Sequence, residues 1–313
     1  MANDSDGFNR WDAGQTYLQR LILGYANGKS KVLPPDCISA FGKLIADTKA
    51  DKALVAKALA LPSETYLAQL MDVVDVDGLY DARQFILGEV GRTFSTTLQQ
   101  LYTSNIDNGP YSPSPAAMGK RRLKSVALRY IHEADEATGV KLAAQQFKDA
   151  TNMTDKVGAL AILTDTHSAE AKAAFEEFYS EWKADPLVLD KWFSLQAIGD
   201  RQDIVESVGK LTAHPDFTYK NPNRLRSLVG AFAMNNQRWF HRKDGAGYRL
   251  LADTVIKVNA INPSTAARLL NPLRNWKRYD AARKSLMEQE LKRILSEKDI
   301  SNDVYEIASK SLS

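Results

Sequence analysis

Apolar residues recur along most of the chain at the three-to-four-residue spacing of an amphipathic helix. The stretch 38–45 places four apolar residues on one helical face, and the stretch 225–232 does so at i, i+3, i+4 and i+7. No segment alternates apolar and polar residues as a half-buried strand does, and no Asn-Gly hairpin joins two β-branched runs. The pattern predicts an all-α protein of roughly fifteen or sixteen helical segments.

Residues that favour the first turn of a helix precede several of these segments. Asparagine, aspartate and serine side chains cap free backbone amides, and a proline at the first helical position loses no donor that the helix needs. Such starts are predicted at Asp51, Ser168, Asn221-Pro222 and Asn262-Pro263.

Three helical segments begin near Pro186, Pro222 and Pro263, and each is followed by a second helix. Their spacings of 36 and 41 residues are close to those of HEAT and armadillo helix pairs. We therefore predict a superhelical stack of antiparallel helix pairs, an armadillo/HEAT-like solenoid, that forms one domain over 1–313. The alternative is a pair of compact helical bundles divided at the turn-rich loop 105–115.

Composition excludes several classes of protein. No apolar run among the 313 residues approaches the ~20 residues of a membrane span. A single cysteine, Cys37, excludes a disulfide framework and a cysteine-based zinc site. The acidic, polar start is unlike a signal peptide and predicts a cytoplasmic location, provided that no signal lies on a missing upstream part.

None of the sequence motifs that resemble catalytic or metal-binding motifs has all the residues that such a site needs. His132-Glu133-Ala-Asp-Glu136 lacks the second histidine of a zinc helix and is interpreted as a polar helix end. No Gly-x-Ser-x-Gly motif occurs, and Asp244-Gly-Ala-Gly-Tyr248 is a glycine turn rather than a phosphate loop. Cys37 is predicted to be a core residue. The remaining histidines are predicted to be surface or turn residues: His167, His214 and His241.

The C-terminal third carries an excess of positive charge. From Lys220 to Lys284 there are fourteen Lys and Arg against three Asp, while the rest of the chain is net acidic. This charge fits a solvated face, an anion-binding wall or, because aromatic residues interleave with it, a nucleic-acid surface. Arginines near helix starts favour the anion-binding wall, since the planar guanidinium pairs with carboxylate or phosphate.

Several longer motifs resemble the C-terminal helical domain of the bacterial aminopeptidase N family, zinc exopeptidases of the gluzincin group. The resemblance covers essentially the whole chain and is strongest between residues 217 and 280. The matching stretches are Asn3 to Gln15, Asn152-Met-Thr-Asp155, Asp190-Lys-Trp-Phe193, Asn221 to Phe232, Asp244-Gly-x-Gly-Tyr248, Ala267-Arg-Leu269, Lys277-Arg-Tyr-Asp280 and Asp303-Val-Tyr-Glu-Ile307.

The resemblance implies an armadillo-like domain that caps the catalytic domain of a broad or alanyl-type aminopeptidase and encloses its active-site cavity. The family's zinc motif, His-Glu-x-x-His, and its amine-binding motif, Gly-Ala-Met-Glu-Asn, lie upstream and do not occur here. It follows that this chain holds no cofactor, that zinc belongs to the missing domain, and that the chain alone is inactive. The implied partners are the upstream domain and the peptide substrate; a membrane is not expected, and a nucleic acid is disfavoured.

The resemblance also suggests substrate-binding residues. Arg226 and Arg268, with Arg224 as a third candidate, are expected to line the cavity and to attract the carboxylate of a peptide substrate. An apolar docking face is expected around Phe8 and Trp11, where the chain would leave the upstream domain. The alternative function is an independent helical-repeat module that binds protein or nucleic acid through the basic third.

Overall fold

The computed structural model describes residues 6–107 and 109–313 of the chain. Within these residues the structure is helical and has no β-strand, so the predicted all-α fold class is confirmed. Residues 3–5 of the family-like opening, and Asn108 of the predicted turn-rich loop, lie outside the described residues.

The chain forms two compact units. The first comprises the chain up to Leu67 together with Asp77–Ala174, and the second comprises Ala68–Val76 and Phe175–Ser313. The main division therefore falls after residue 174 and not within the loop 105–115. The single-domain assignment over 1–313 stays a prediction.

Ten helices run from the start of the described chain to residue 182. They are α1 (Gly7–Ala26), α2 (Pro35–Ile45), α3 (Lys52–Leu59), α4 (Glu64–Gln69), α5 (Val76–Thr93), α6 (Ser95–Ser104), α7 (Pro115–Ala134), α8 (Glu136–Asp149), α9 (Met153–Leu163) and α10 (Ala169–Trp182).

The remaining helices belong to the second unit and are interrupted by one π-helical turn and two 3₁₀ turns. They are α11 (Pro186–Ala197), α12 (Ile204–Leu211), α13 (Pro222–Leu225), the π-turn (Arg226–Gly230), α14 (Ala231–Asn235), α15 (Gln237–Phe240), α16 (Ala246–Asn259), α17 (Pro263–Leu269), the 3₁₀ turns Asn271–Leu273 and Trp276–Arg278, α18 (Ala281–Leu295) and α19 (Asn302–Leu312).

All four predicted helix starts are present. The side chains of Asp51, Asn221 and Asn262 accept hydrogen bonds from amides in the first turns of α3, α13 and α17. The Ser168 hydroxyl accepts one from Ala171 at the start of α10. These caps satisfy backbone amides that have no partner inside the helix, so the local sequence defines where each helix begins.

The core of the second unit is built from the apolar faces that the sequence predicts. The face of 225–232 is fully buried. Phe232 of this face packs against Phe240, and Phe240 packs against Tyr248. Other buried side chains of the same unit include Leu189, Phe193, Leu251 and Val255. The helix that carries Arg268, α17, joins this core by packing against α16.

The segment Ala68–Val76 is joined to the second unit by backbone-directed hydrogen bonds. The Arg278 guanidinium donates to the carbonyls of Ala68 and Gln69, at 3.1 and 3.2 Å, and to that of Met71. The amide of Val74 donates to the carbonyl of Arg278 at 2.8 Å. The side chain and the backbone carbonyl of Arg278 thus hold a segment that lies about 200 residues earlier in the sequence.

His241, predicted to be a surface or turn residue, lies at the turn that follows α15, but its side chain is buried and not at the surface. Its side chain is 2% exposed, because its two ring nitrogens bond the hydroxyls of Tyr248 and Tyr279 at 2.9 and 3.1 Å. The ring stacks on Tyr279 at 4.4 Å, and the Arg283 guanidinium donates to the His241 carbonyl. Burial, together with the positive charge of Arg283, lowers the pKa of His241 to about 3.

His132 and Cys37 lie in the first unit. His132 lies near the end of α7, but its side chain is buried rather than solvated. Close approach explains this, since a Cβ on Gly139 of α8 would lie 2.5 Å from His132. Burial is the main reason that the pKa of His132 is lowered. Cys37 is a buried core residue, as predicted, and burial raises the pKa of its thiol to about 11.

Candidate functional site

A π-helical turn places Arg226 in the second unit. Helices α13 and α14 are joined without a break through Arg226–Gly230. Within this turn the amide of Ala231 donates to the carbonyl of Arg226, five residues earlier. Single π-turns inside helices are rare and occur frequently at functional sites.

The guanidinium of Arg226 is held by its own helix. Its Nε donates to the carbonyl of Pro222 at 3.3 Å, and its Nη2 donates to the Asn223 side-chain oxygen. The side chain is otherwise exposed. Arg226 is therefore oriented before any ligand arrives, and several of its N–H groups remain available to one.

Arg268 reaches the same region from α17. It is exposed, and no hydrogen bond or ion pair joins its guanidinium to another residue in the described part of the chain. Because no carboxylate neutralises it, its positive charge is available to an anionic ligand.

The two arginines line one cavity of about 380 Å³. Most of the wall between them is apolar, and the described residues that line it include no carboxylate. The full lining is Pro222, Arg226, Gly230, Ala233, Met234, Thr265, Arg268, Leu269, Asn271 and Pro272. Two cations that are 42 residues apart in sequence thus face a small, mostly apolar space, which suits an amphipathic anion.

The structure places Arg224 elsewhere. Its side chain is 5% exposed and is absent from the lining of the cavity. Its Nε donates to Asp190 at 2.6 Å, its Nη1 donates to the carbonyl of Asp216 at 2.8 Å, and its guanidinium lies over the ring of Phe193. Arg224 is thus committed to an internal ion pair and is not part of the candidate site.

Other cations of the basic third are also neutralised. Arg242 pairs with Glu206 at 3.0 Å and with Asp244 at 2.8 Å, and Arg283 pairs with Asp280 at 2.8 Å. The positive charge that is counted along the sequence is thus partly consumed inside the fold. Arg226 and Arg268 stand out because they face a cavity without an acidic partner.

Zinc is the metal that the family resemblance implies for the parent enzyme. The described residues contain no group of three or more His, Cys, Asp or Glu that could hold a metal ion. No helix among them is both long and apolar enough to cross a membrane.

Comparison with known protein families shows which family this chain belongs to. A family model described as a domain of unknown function with ARM repeats, DUF3458_C, matches residues 1–313. The chain belongs to this ARM-repeat family. The predicted armadillo-like class is therefore confirmed at the level of the family, in agreement with the all-helical structure.

Curated relatives of this ARM-repeat domain are aminopeptidases. The chain is 39% identical over 313 residues to aminopeptidase N of Caulobacter vibrioides and 34% identical over 316 residues to that of Escherichia coli. In both comparisons the whole chain is covered, but only 36% of the relative. The chain thus spans little more than a third of these relatives, and it is homologous to the C-terminal region of aminopeptidase N, as the sequence resemblance indicated.

A solved structure has the same fold. The crystal structure of Legionella pneumophila aminopeptidase A in complex with aspartic acid superposes with a TM-score of 0.91 at 32% identity. The match covers 99% of this chain and 37% of that one. The ARM-repeat domain is therefore found as part of longer aminopeptidases in both comparisons.

Sequence reasoning missed the apolar part of the site. Met234, Leu269 and Pro272 form much of the wall between the arginines, yet each resembles an ordinary helix or turn residue in the sequence. The π-turn gives no periodic signal either, because the apolar spacing of 225–232 is the same as in an α-helix. Gly230 is the one local hint, since an isolated glycine inside a helical pattern often has a packing or functional reason.

Proposed function

We propose that this ARM-repeat domain is the C-terminal cap of a zinc aminopeptidase that removes N-terminal residues from peptides. Support comes from aminopeptidase N, because the whole of this chain is homologous to its C-terminal region. In this proposal the domain encloses the active-site cavity and offers arginines to the substrate, while zinc and the catalytic groups lie upstream. The parent enzyme would act on broad or alanyl-type substrates in the cytoplasm.

The observation that carries the proposal is the shared cavity of Arg226 and Arg268. An aminopeptidase holds the amino end of its substrate at the catalytic centre, so the carboxylate of a short peptide projects away from it. Guanidinium groups bind carboxylates by charge-assisted hydrogen bonds, which are among the stronger ones in proteins. A pair of unneutralised arginines is therefore a suitable counterpart for the far end of a short peptide.

The test is Arg268→Ala in the full-length enzyme, with tripeptide acids compared against their C-terminal amides. A hydrogen bond to a charged group contributes roughly 1.5–3 kcal/mol, so kcat/KM for the acids should fall by about 10- to 100-fold. The amides should be nearly unaffected. Arg274→Ala is the matched control, since Arg274 is an exposed arginine of the same unit that does not line the cavity. An equal change for acids and amides would reject the carboxylate role.

A second element of the proposal is the docking surface for the upstream domain. Phe8 is 64% exposed at the start of α1 and lies 5.6 Å from Trp11, measured between ring centroids. Leu54 is also exposed and lies close to Gly7. Large exposed apolar side chains that cluster in this way are typical of contact surfaces. In the proposed assembly this cluster packs against the catalytic domain.

A further inference from the structure

We propose that the cavity between Arg226 and Arg268 selects peptides whose C-terminal residue has an apolar side chain, because it binds both the carboxylate and the side chain of that residue. The inference rests on the proposed function and specifies its substrate class. Four observations support it: the two cations, the apolar wall, the size of the cavity and the fixed position of Arg226.

The wall beside the arginines suits an apolar side chain. Met234 is 49% exposed although it is a large apolar residue, and it lines the cavity together with Leu269, Pro272 and Ala233. A ligand side chain placed here would remove apolar surface from water on both sides of the contact. Methionine also adapts its shape to different ligands, so aliphatic and aromatic side chains can both be accommodated.

The size of the cavity limits the ligand. Pockets for drug-sized ligands span roughly 300–1,000 Å³, and this cavity of about 380 Å³ lies at the low end of that range. It can hold one amino-acid residue and its carboxylate. Because the described residues that line it include two arginines and no acidic residue, the cavity favours the end of a peptide, which carries a carboxylate, over its middle.

Asn223 makes the two arginines unequal. It accepts a hydrogen bond from Arg226, and the Pro222 carbonyl accepts a second one, whereas Arg268 has no such support in the described part of the chain. Arg226 is thus fixed in advance, and Arg268 adjusts to the ligand. Asn223 is a positioning residue, because it acts through Arg226 and does not line the cavity.

Methyl NMR on this chain tests the inference without the catalytic domain. The six methionines are labelled with ¹³C-methyl groups, and the Met234 signal is assigned by its loss in Met234→Leu. Met118, which is exposed but does not line the cavity, is the internal control. The ligands are N-acetyl-leucine, N-acetylglycine and N-acetyl-leucinamide, each titrated against the Met234 signal.

N-acetyl-leucine should shift the Met234 signal in a saturable manner and leave the Met118 signal in place. N-acetylglycine should bind roughly tenfold more weakly, since losing an apolar side chain from a pocket costs at least that much. The amide should bind roughly tenfold more weakly as well, through the lost charge. Equal affinity for N-acetyl-leucine and N-acetylglycine, or no saturable shift with any ligand, would overturn the inference.

Variants separate the arginines from Asn223. The affinity for N-acetyl-leucine should fall roughly tenfold in Arg226→Gln and in Arg268→Gln, and its excess over the affinity for the amide should become smaller. Arg274→Gln should change neither quantity. Asn223→Ala should weaken the acid severalfold and leave the affinity for the amide unchanged, which a merely structural effect would not do. If Asn223→Ala weakens acid and amide equally, the positioning role is wrong.

The two proposals can fail separately. If N-acetyl-leucine binds as described but Arg268→Ala changes acids and amides equally in the full-length enzyme, the cavity binds its ligand and the carboxylate role in the proposed function is wrong. If the enzyme distinguishes acids from amides but the NMR titrations show no preference for leucine over glycine, the proposed function stands and the side-chain inference is wrong.

Discussion

Two arginines that are two residues apart, Arg224 and Arg226, have opposite environments. Arg224 lies among buried side chains and pairs with Asp190, whereas Arg226 projects into a cavity at the surface. The difference follows from the helix, because consecutive residues differ by about 100° in direction and residues two apart point to nearly opposite sides. Charge counting along the sequence treats the two as equivalent, but only one of them is available to a ligand.

Replacing Arg224 should destabilise the protein, while replacing Arg226 should not. Arg224→Met retains an apolar stem but leaves Asp190 without its buried partner, which should cost about 3 kcal/mol in the free energy of unfolding. Arg226→Met removes an exposed charge and should change it by about 0.5 kcal/mol or less. Urea denaturation of the two variants beside the wild type measures both values. Similar stability in the two variants would contradict the structural role of Arg224.

His241 should make the stability depend on pH. Its pKa is about 3 in the folded protein and about 6.5 when unfolded, because burial among Tyr248, Tyr279 and Arg283 disfavours the charged form. Only the unfolded state takes up the proton between these values, so stability is fully present above pH 6.5 and is lost as the pH falls.

Between pH 7 and 5.5, His241 should therefore account for about 1 kcal/mol of lost stability. His241→Asn should show a loss that is smaller by this amount, measured by urea denaturation at both values. The wild type, measured beside the variant at both pH values, is the reference. An unchanged pH dependence in His241→Asn would show that the buried histidine is not the source.

The environment of a residue can be predicted from the sequence when its partners are near in the chain, and not when they are distant. The cap at Asn221 was predictable because its partners are two and three residues away. The burial of His241 was not, since it depends on Tyr279, which is 38 residues away, and the ion pair of Arg224 depends on Asp190, which is 34 residues away. The motif resemblance, rather than residue chemistry, selected Arg226 and Arg268; their shared cavity depends on the packing of the π-turn and α17.

At the scale of elements, the π-turn forms one side of the cavity. Arg226 and Gly230 are four residues apart, so they lie on the same face of the helix and line the same space. Gly230 has helical backbone angles, φ −63° and ψ −46°, which any residue can adopt. It is therefore the absent side chain that matters, because a Cβ at this position would lie 3.5 Å from Cβ of Arg226.

Gly230→Ala should separate stability from binding. Alanine fits the observed backbone and should stabilise the chain by about 0.5–1 kcal/mol, since it restricts the unfolded state. The added methyl group would occupy part of the cavity and weaken the binding of N-acetyl-leucine severalfold. Thermal denaturation and the Met234 methyl titration measure the two effects. A variant that is more stable and binds equally well would show that the ligand does not approach the π-turn.

At the scale of the molecule, the described residues form a helical fold and contain no group of three or more side chains that could hold a metal ion. We expect the isolated chain to fold cooperatively, to bind no zinc and to release no alanine from an alanyl-anilide. Metal analysis after dialysis and a colorimetric peptidase assay test this, with the full-length enzyme as the positive control. One zinc per chain, or measurable hydrolysis, would contradict it.

The hydrogen bonds between Arg278 and the segment Ala68–Val76 have a consequence for synthesis on the ribosome. Arg278 follows Ala68 by 210 residues, and at 5–20 residues per second the ribosome needs about 10–40 s to produce that stretch. During this interval the segment cannot make its hydrogen bonds to Arg278. Its Leu70 and Val73 side chains, which are exposed even in the folded protein, are then in water as well. The contacts of this segment can therefore form only after the stretch that contains Arg278 has left the exit tunnel, so the second unit is completed late in the synthesis of residues 68–278.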